Sequence, residues 1–582
     1  MNKTALTKTY TKDIQNSCLN SKKIVLSLAA ISFSASCTHA TLTPEIETYE
    51  EANRHTKARS ASRSTNSNNN KTISSLQKST ETISGTGNTL VIESGGTITI
   101  SNDNQQAVNF QQNSSTSTFL NKGTLIGGNN AASVQLGANT NNGVTIETFN
   151  NQGIIGNGSS KFGVTVWGNS NNKSTINNFT NSGTIYSNTG ESIYFGNANI
   201  SSFANSGTIK SNQGTGVNIS QGTSSIGNFN NRGTIEGKSM GVNVRSTIDT
   251  FVNDGLIAAT NNGIQINANV KTLKNTGTIK GHAISIISSG GTIDQLINEG
   301  IVDGESAGIY MRRSLVKTLT NKGTINQNNS ATWAAGIKLQ NNSTIENIIN
   351  TGSIRSNAFG ISVTGGKFGT LTIKDGGQVY AKYAAIGVGR SQTLGDLYID
   401  GSSNNGRVSG IYSEEHGILL ENNSQTQKIE LKNGGIIKGN INGIRLINSA
   451  SLSGEMILSG EGSRVEGGRG AGILNRSGKI EGSITIKDGA TVTATSNQAI
   501  ANSGSGSITG GITVSGKNTK LQGNIINMGN ASIGSDIKIE GGAKVEGGLV
   551  NQGNGVISGS ITVDKNSKLD SITNTSTSST GI

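Results

Sequence analysis

The phrase [Phe/Leu/Ile]-x-Asn-x-Gly-x-[Ile/Leu/Val] recurs ten times between Phe119 and Ile354. Its asparagines are Asn121, Asn151, Asn181, Asn205, Asn231, Asn253, Asn275, Asn298, Asn321 and Asn350, each followed two residues later by glycine. Two residues before them stand Phe119, Phe149, Phe179, Phe203, Phe229 and Phe251, then Leu273, Leu296, Leu319 and Ile348. Successive phrases are 22 to 30 residues apart. A second phrase falls between them: GVTV at 163, GVNI at 216, GVNV at 241, GIQI at 263, GIYM at 308, GIKL at 336 and GISV at 360. From about residue 370 the wording changes to LTIKDGGQV, LYIDGSS, IELKNGGII, ITIKDGATV and ITVSGKNTKL, and a period of 24 to 32 residues persists.

A unit of this length holds about three short segments of alternating apolar and polar residues. Alternation with period two marks strands with one face inward. So small a unit can bury its apolar side only against copies of itself, so the units must stack. The pattern predicts an all-β chain, a right-handed parallel β-helix (β-solenoid) of about 18 coils, on the order of 90 Å long at ~4.8 Å per coil. The rival is a left-handed β-helix, whose six-residue period is not visible. Phe or Leu is expected in an interior column. Asn is expected at an inward corner, bonded through its amide to the Asn above and below. The following Gly is expected to supply a φ > 0 bend.

Composition agrees. The 582 residues include 80 Gly and 1 Pro, with 4% aromatic and 14% charged residues. That excludes collagen, which needs proline and a Gly-X-Y period. Regular Ile, Val and Leu argue against disorder. The formal charge is +12. Lys3, Lys8, Lys12, Lys22 and Lys23 account for five of the cations and precede the first apolar run. The remaining basic clusters are short and lack interleaved aromatics, which argues against nucleic acid. Weak attraction to acidic surfaces, such as sialylated glycans or anionic lipids, fits the charge better.

The expected organisation is a signal peptide with a long n-region over 1–40, a flexible linker over 41–81, coils of the FxNxGxI type over 82–370, coils of the xIxIxxGGxV type over 371–575, and a tail over 576–582. Lys22-Lys23 precede the apolar run 24–36, too short to span a bilayer comfortably and suited to a secretory signal. Cleavage after Ala40 would leave no cysteine. Cleavage before Cys37, preceded by Ser34-Ala35-Ser36, would follow a degraded lipoprotein box and place lipid on Cys37. Neither outcome allows an intramolecular disulfide, so stability must come from stacking.

No catalytic constellation emerges, and no cofactor or metal motif is present. The histidines are His39, His55, His282 and His416, without a serine-protease nucleophile phrase. Asp375, Asp400 and Asp488 fall in turn phrases, where Asp forms turns. Glu414-Glu415-His416 is the densest polar cluster and reads as a solvated loop. Candidate partner contacts are Trp333, Arg312 and Arg313, with Trp167, Tyr194 and Tyr310 behind them. Core or edge packing is the competing role for each.

The signal with its long n-region, followed by FxNxGxI coils, resembles the passenger of bacterial autotransporters. The opening MNKTALTKTYTKDIQNSCLNSKKIVLSLAAISF is similar to that of the Campylobacter autotransporter adhesins, described as lipoproteins through a cysteine matching Cys37. The resemblance implies a non-enzymatic passenger, displayed on the cell surface or secreted, that attaches to host epithelium, with a matrix protein or glycan as partner. It also implies a C-terminal barrel and the outer-membrane translocation and barrel-assembly machinery. The sequence SITNTSTSSTGI shows no amphipathic barrel strands. The expectation is therefore a passenger alone, or part of a split or frame-shifted gene. Without a barrel, the chain would be periplasmic or hang from lipid on Cys37. The alternatives to adhesion are a polysaccharide-active β-helix enzyme and a truncated remnant or lipoprotein lacking its translocator.

Overall fold

A computed structural model describes residues 70–579, apart from 139–141, 221, 283, 288–290, 333 and 403–405. The signal segment, Cys37, Ala40 and most of the expected linker lie outside the described residues. The rest is a parallel β-solenoid of about nineteen turns. One coil shows the plan. Ser174–Asn181 forms the first strand, Thr184–Ser187 the second and Ile193–Gly196 the third. Each pairs in parallel with its equivalent one coil on, in Ala198–Asn205, Thr208–Ser211 and Thr215–Ile219. The first strands build one 25-stranded sheet, and the second and third together build a 36-stranded sheet.

The register follows the repeated letters. Phe119, Phe149, Phe179, Phe203, Phe229 and Phe251 are paired coil to coil, and Leu273, Leu296, Leu319 and Ile348 continue the column. The six phenylalanines are fully buried. From Phe149 to Phe251 neighbouring rings stack with centroids 4.4–5.1 Å apart and planes within 8–19°. Coil spacing imposes this parallel arrangement, since each ring sits one strand spacing from the next. Each buried Phe contributes about 2–3 kcal/mol through removal of apolar surface from water.

The corner asparagines form the expected column. Asn121 Nδ2 donates to Asn151 Oδ1, and the same bond repeats through Asn350 at 2.7–2.9 Å. The amide also holds the backbone at the bend: Asn231 Nδ2 donates to Gly233 O and to Leu256 O. The glycine after it departs from expectation. Gly183, Gly207 and Gly233 do not have positive φ. A Cβ on Gly207 would instead fall far inside van der Waals contact with the carbonyl oxygen of Gly183, and the same holds coil after coil. Close stacking of backbone on backbone excludes the side chain here.

One boundary differs from the expected one. The ladders begin with Asn70–Ile73, paired with Asn88–Ile92, inside the segment expected to be linker. Ile73 is buried there, and Ile83 just beyond it, so even this polar stretch supplies inward residues for a coil. Downstream, Asn350 is followed in its column by Ile373, Ile399 and Leu431, and the amide ladder stops. Left-handed turns replace it at this corner, with φ of 52° at Asp375, 53° at Asn433 and 55° at Asp488. The expected turn role of Asp375 and Asp488 follows from that conformation, which Asp and Asn tolerate. A second amide ladder then runs through Asn475, Asn502, Asn527, Asn551 and Asn574 at 2.8–3.1 Å.

Candidate functional groove

Within the third strand of each coil, alternate residues face inward and fill the core. The residue between them faces out, and these residues stack in their own column. Its members include Gln265, Ser285, Tyr310, Lys338, Ser362, Gly387, Leu419 and Arg445, paired in that order. They are the third letters of the phrases GIQI, GIYM, GIKL and GISV and of their successors. Several are small, so this outer face is concave.

Three adjoining clefts follow the column. The first, about 600 Å³, is lined by Asn262, His282, Ser285, Tyr310, Lys338 and Gln340, among others. The second, about 360 Å³, shares Lys338 and Gln340 and adds Phe359, Gly387, Arg390 and Glu421. The third, about 750 Å³, shares Phe359 and Glu421 and adds Lys382, Tyr383, Glu414, Glu415 and Arg469. Shared walls make them one groove parallel to the solenoid axis. It crosses seven third-strand rungs, from Asn262–Ile266 to His416–Glu421, a run on the order of 30 Å at ~4.8 Å per step.

The groove changes in chemistry along its length. On the fourth rung, shared by the first two clefts, Lys338 is only 6% exposed. Burial pushes its pKa down, because an ammonium ion stripped of water is less easily charged. Tyr310 donates its hydroxyl proton to Gln340 Oε1 at 2.9 Å. His282 Nδ1 lies 2.5 Å from Ser306 Oγ. At the downstream end Tyr383 is 37% exposed and makes edge contacts with Phe359 and His416. Burial raises the Tyr383 pKa, the carboxylates of Glu421 and Glu415 add to that, and Arg445 opposes it.

His416 does not sit in the solvated loop expected of it. It opens the buried strand His416–Glu421 and is 2% exposed, while Glu414 before it is exposed. Its ring lies between Asn442 Nδ2 at 3.3 Å and Arg445 Nη1 at 2.9 Å. Burial, and then the charge of Arg445, push its pKa down to about 4. The imidazole is therefore neutral at neutral pH and accepts from the guanidinium through Nε2.

The residues singled out from sequence are distributed as follows. Arg312 ends the strand Ala307–Arg312 and Arg313 follows it with φ of 53°; both are exposed. Register sets Arg312 beside Gln340, one step diagonally from Lys338. Tyr310 lies inside the groove, whereas Trp167 and Tyr194 pack on each other at 4.4 Å further upstream. Trp333 lies outside the described residues. Lys338, Phe359 and Glu421 escaped attention in the sequence because their letters vary from coil to coil. Their position in the recurring phrase was the available signal. Among the described residues, no group of three or more His, Cys, Asp or Glu is arranged to hold a metal ion.

What the arrangement can do is hold an extended ligand. It offers hydrogen-bonding side chains on the floor, aromatic rings on the walls, and, towards its downstream end, carboxylates and cations side by side. No protein-family model, no characterised protein and no solved structure matches this chain in comparison, so its function rests on the groove and the residues that build it.

Proposed function

We propose that the chain is the rod-like passenger of an autotransporter, displayed at the cell surface or secreted, and that it acts non-enzymatically in adhesion to host cells. The observation that carries this reading is the division of labour within each coil. Interior columns repeat the same letters, while the outer column varies and lines a groove on the order of 30 Å long. A stiff rod with a long, chemically mixed outer face suits multipoint contact with a host epithelial surface, matrix protein or glycan. The N-terminal resemblance to autotransporter adhesins supports the same reading. The test is binding of purified protein to epithelial cells against an unrelated β-solenoid of similar length. Saturable binding above that control is expected; equal binding by both proteins removes the adhesive role.

A second reading, a polysaccharide-active β-helix enzyme, is favoured by one observation. Glu414, Glu415 and Glu421 line the same cleft as Tyr383, and paired carboxylates are the groups that cleave glycosidic bonds. Incubation with plant, bacterial and host polysaccharides, followed by a reducing-end assay, tests it. Release of new ends by the native protein but not by Glu421→Gln supports an enzyme; no release from any polysaccharide removes this reading.

A further inference from the structure

We propose that the edge where each third strand turns into the next first strand is a binding ridge for a linear polysaccharide that carries oxyanions, sulfate or carboxylate, along its length. This ridge would supply the contact that the adhesive reading calls for, and it rests on that reading for its biological sense, though not for its test.

The ridge exists only because the coils stack. In one coil the last outward residue of the third strand is Arg245. Parallel register carries that position through Asn267 and Ile287 to Arg312, through Gln340 and Thr364 to Gly389, and through Glu421 and Ile447 to Arg476. The next residue in the chain adds Arg313 beside Arg312 and Arg390 beside Gly389. Arginine therefore returns at every third coil. At ~4.8 Å per coil the interval is about 14 Å, and the ridge from Arg245 to Arg476 is on the order of 43 Å long.

These arginines are all exposed. Among the described residues, the arginines with a carboxylate within 4 Å are Arg232 and Arg464, which lie on other faces. Glu421 is the one carboxylate among the described residues of the edge, and Lys367, near the start of an adjoining first strand, adds an exposed cation. A second feature is conformational. The residue that follows the third strand is left-handed in neighbouring coils, with φ of 52° at Asn341, 56° at Asn422 and 53° at Asn448. Arg313 and Arg390 hold the same conformation, at 53° and 56°. Asparagine tolerates left-handed backbone better than arginine does. The fold thus accepts a less suitable residue at both central cationic positions, and such a local cost points to work done by the side chain rather than by the bend.

A guanidinium pairs bidentately with carboxylate and with tetrahedral oxyanions. One such group on a solvated edge binds weakly. Groups at regular intervals act together only on a partner long enough to reach several of them, so the ligand is a linear chain. Between the cations stand Gln340, Asn341, Thr364 and Asn422, neutral donors and acceptors that suit the hydroxyls of a sugar chain. Among its described residues the ridge carries no aromatic ring on which bases could stack, which argues against nucleic acid. It is one narrow edge rather than a broad apolar face, which argues against a membrane.

Calorimetric titration of the full chain tests this. The probes are heparin and hyaluronan, each as fragments of graded length from the disaccharide upward, neutral dextran, duplex DNA, and phosphatidylserine vesicles. The expected result is binding of heparin, hyaluronan or both, at least tenfold tighter once a fragment is long enough to span two cationic positions. Preference between the two identifies the oxyanion. Arg390→Asn, and Arg312→Gln combined with Arg313→Asn, should each weaken the long fragments at least tenfold and flatten the salt dependence. Arg232→Gln, which removes the same charge from another corner, should change neither. Asparagine suits the left-handed turn, so an unchanged or higher thermal midpoint in the Asn variants separates lost binding from lost folding. Failure of both polysaccharides to bind, affinity independent of fragment length, equal binding of dextran, tighter binding of DNA or of vesicles, or indifference to the ridge substitutions would overturn the proposal. A protein that adheres to cells yet ignores these polysaccharides loses this inference and keeps the adhesive reading. One that binds them without adhering does the reverse.

Discussion

The coils from Phe119 to Asn350 and those from Ile473 to Asn574 solve one problem at different corners. In the upstream coils the amide ladder stands between the first and second strands, as at Asn181, which ends Ser174–Asn181 just before Thr184–Ser187. In the downstream coils it stands between the third strand and the first strand of the next coil. Asn475 lies in Ile473–Arg476, immediately before Lys479–Ile480. The corner abandoned by asparagine is closed by left-handed turns, whose free N–H groups are met by hydroxyls of the following coil. Gly376 N donates to Ser409 Oγ, Gly434 N to Ser463 Oγ and Gly489 N to Thr519 Oγ1. The difference teaches that a bend does not require asparagine as such. It requires that every buried backbone donor and acceptor there find a partner.

Both ladders also share a direction and a defect. Each Nδ2 donates towards the C-terminal coil, so the first member has no donor facing its Oδ1. Asn121 follows Ile92 in its column, and Asn475 follows Leu446. Asn121 Oδ1 and Asn475 Oδ1 are accordingly buried without a hydrogen bond.

The sharpest way to break the comparison is at the upstream glycines. Gly207→Ala would drive its methyl group into the Gly183 carbonyl, which belongs to backbone and cannot step aside. Loss of at least about 3 kcal/mol is expected, since the coils must separate to admit the methyl group. Hydrogen exchange should localise the loss to the coils around 183–233. A uniform profile like that of the unaltered protein would refute the close-stacking account.

Next in size is the amide ladder itself. Asn231→Leu removes the bonds to Asn205 and Asn253 and leaves Asn253 Oδ1 orphaned. A cost of about 2–3 kcal/mol is expected. Asn121→Leu should cost only about 1 kcal/mol, because it merely moves an existing orphan acceptor from Asn121 to Asn151. Asn502→Leu in the downstream ladder should match Asn231→Leu. Equal costs at positions 121 and 231 would sink the directional reading. Local exchange rates are the proper readout, since a stacked repeat need not unfold in one step.

Between the two ladders, coils 371–452 rely on individual side-chain pairs, and this joint should be the acid-sensitive part. His416 is pushed down to about 4 by burial and by Arg445, against about 6.5 in an unfolded chain. The neutral form is favoured in the fold. Its stabilisation is complete above pH ~6.5 and is lost as pH falls towards about 4, on the order of 2–3 kcal/mol. Facing groups are Arg445, Tyr383, Glu415 and Glu421. Faster exchange in His416–Glu421 between pH 6.5 and 4.5, abolished in His416→Gln, is expected. The same acceleration in both amide-laddered regions would show that the joint is not special.

The interior was legible from sequence and the groove largely was not, for one reason. Stacking makes inward neighbours identical, so Phe and Asn columns announce themselves by repetition. Outward residues contact solvent or each other, and nothing forces Tyr310, Lys338 and Ser362 to agree. The downstream ladder was written plainly, as ILNRSG, IANSGS, IINMGN and LVNQGN. It escaped because the phrase had moved to another corner while the IxIxxG wording held the eye. The role assigned to the corner glycines failed because left-handed backbone and close backbone approach both exclude a side chain, and sequence alone does not separate them.

That last distinction gives the smallest and most discriminating test. Gly489 is a glycine of the other kind: its φ is +88° and an added Cβ would meet its nearest neighbour, Glu461 Cα, at 3.3 Å. Gly489→Ala therefore carries conformational strain with little clash, worth about 1–2 kcal/mol. Gly489→Asn should recover part of it, because asparagine visits the left-handed region more readily than alanine does. The corresponding Gly207→Asn should recover nothing, since asparagine carries the same Cβ into the same carbonyl. If asparagine rescued both sites alike, the two corners would share a mechanism after all, and the distinction between a stacked bend and a turned one would collapse.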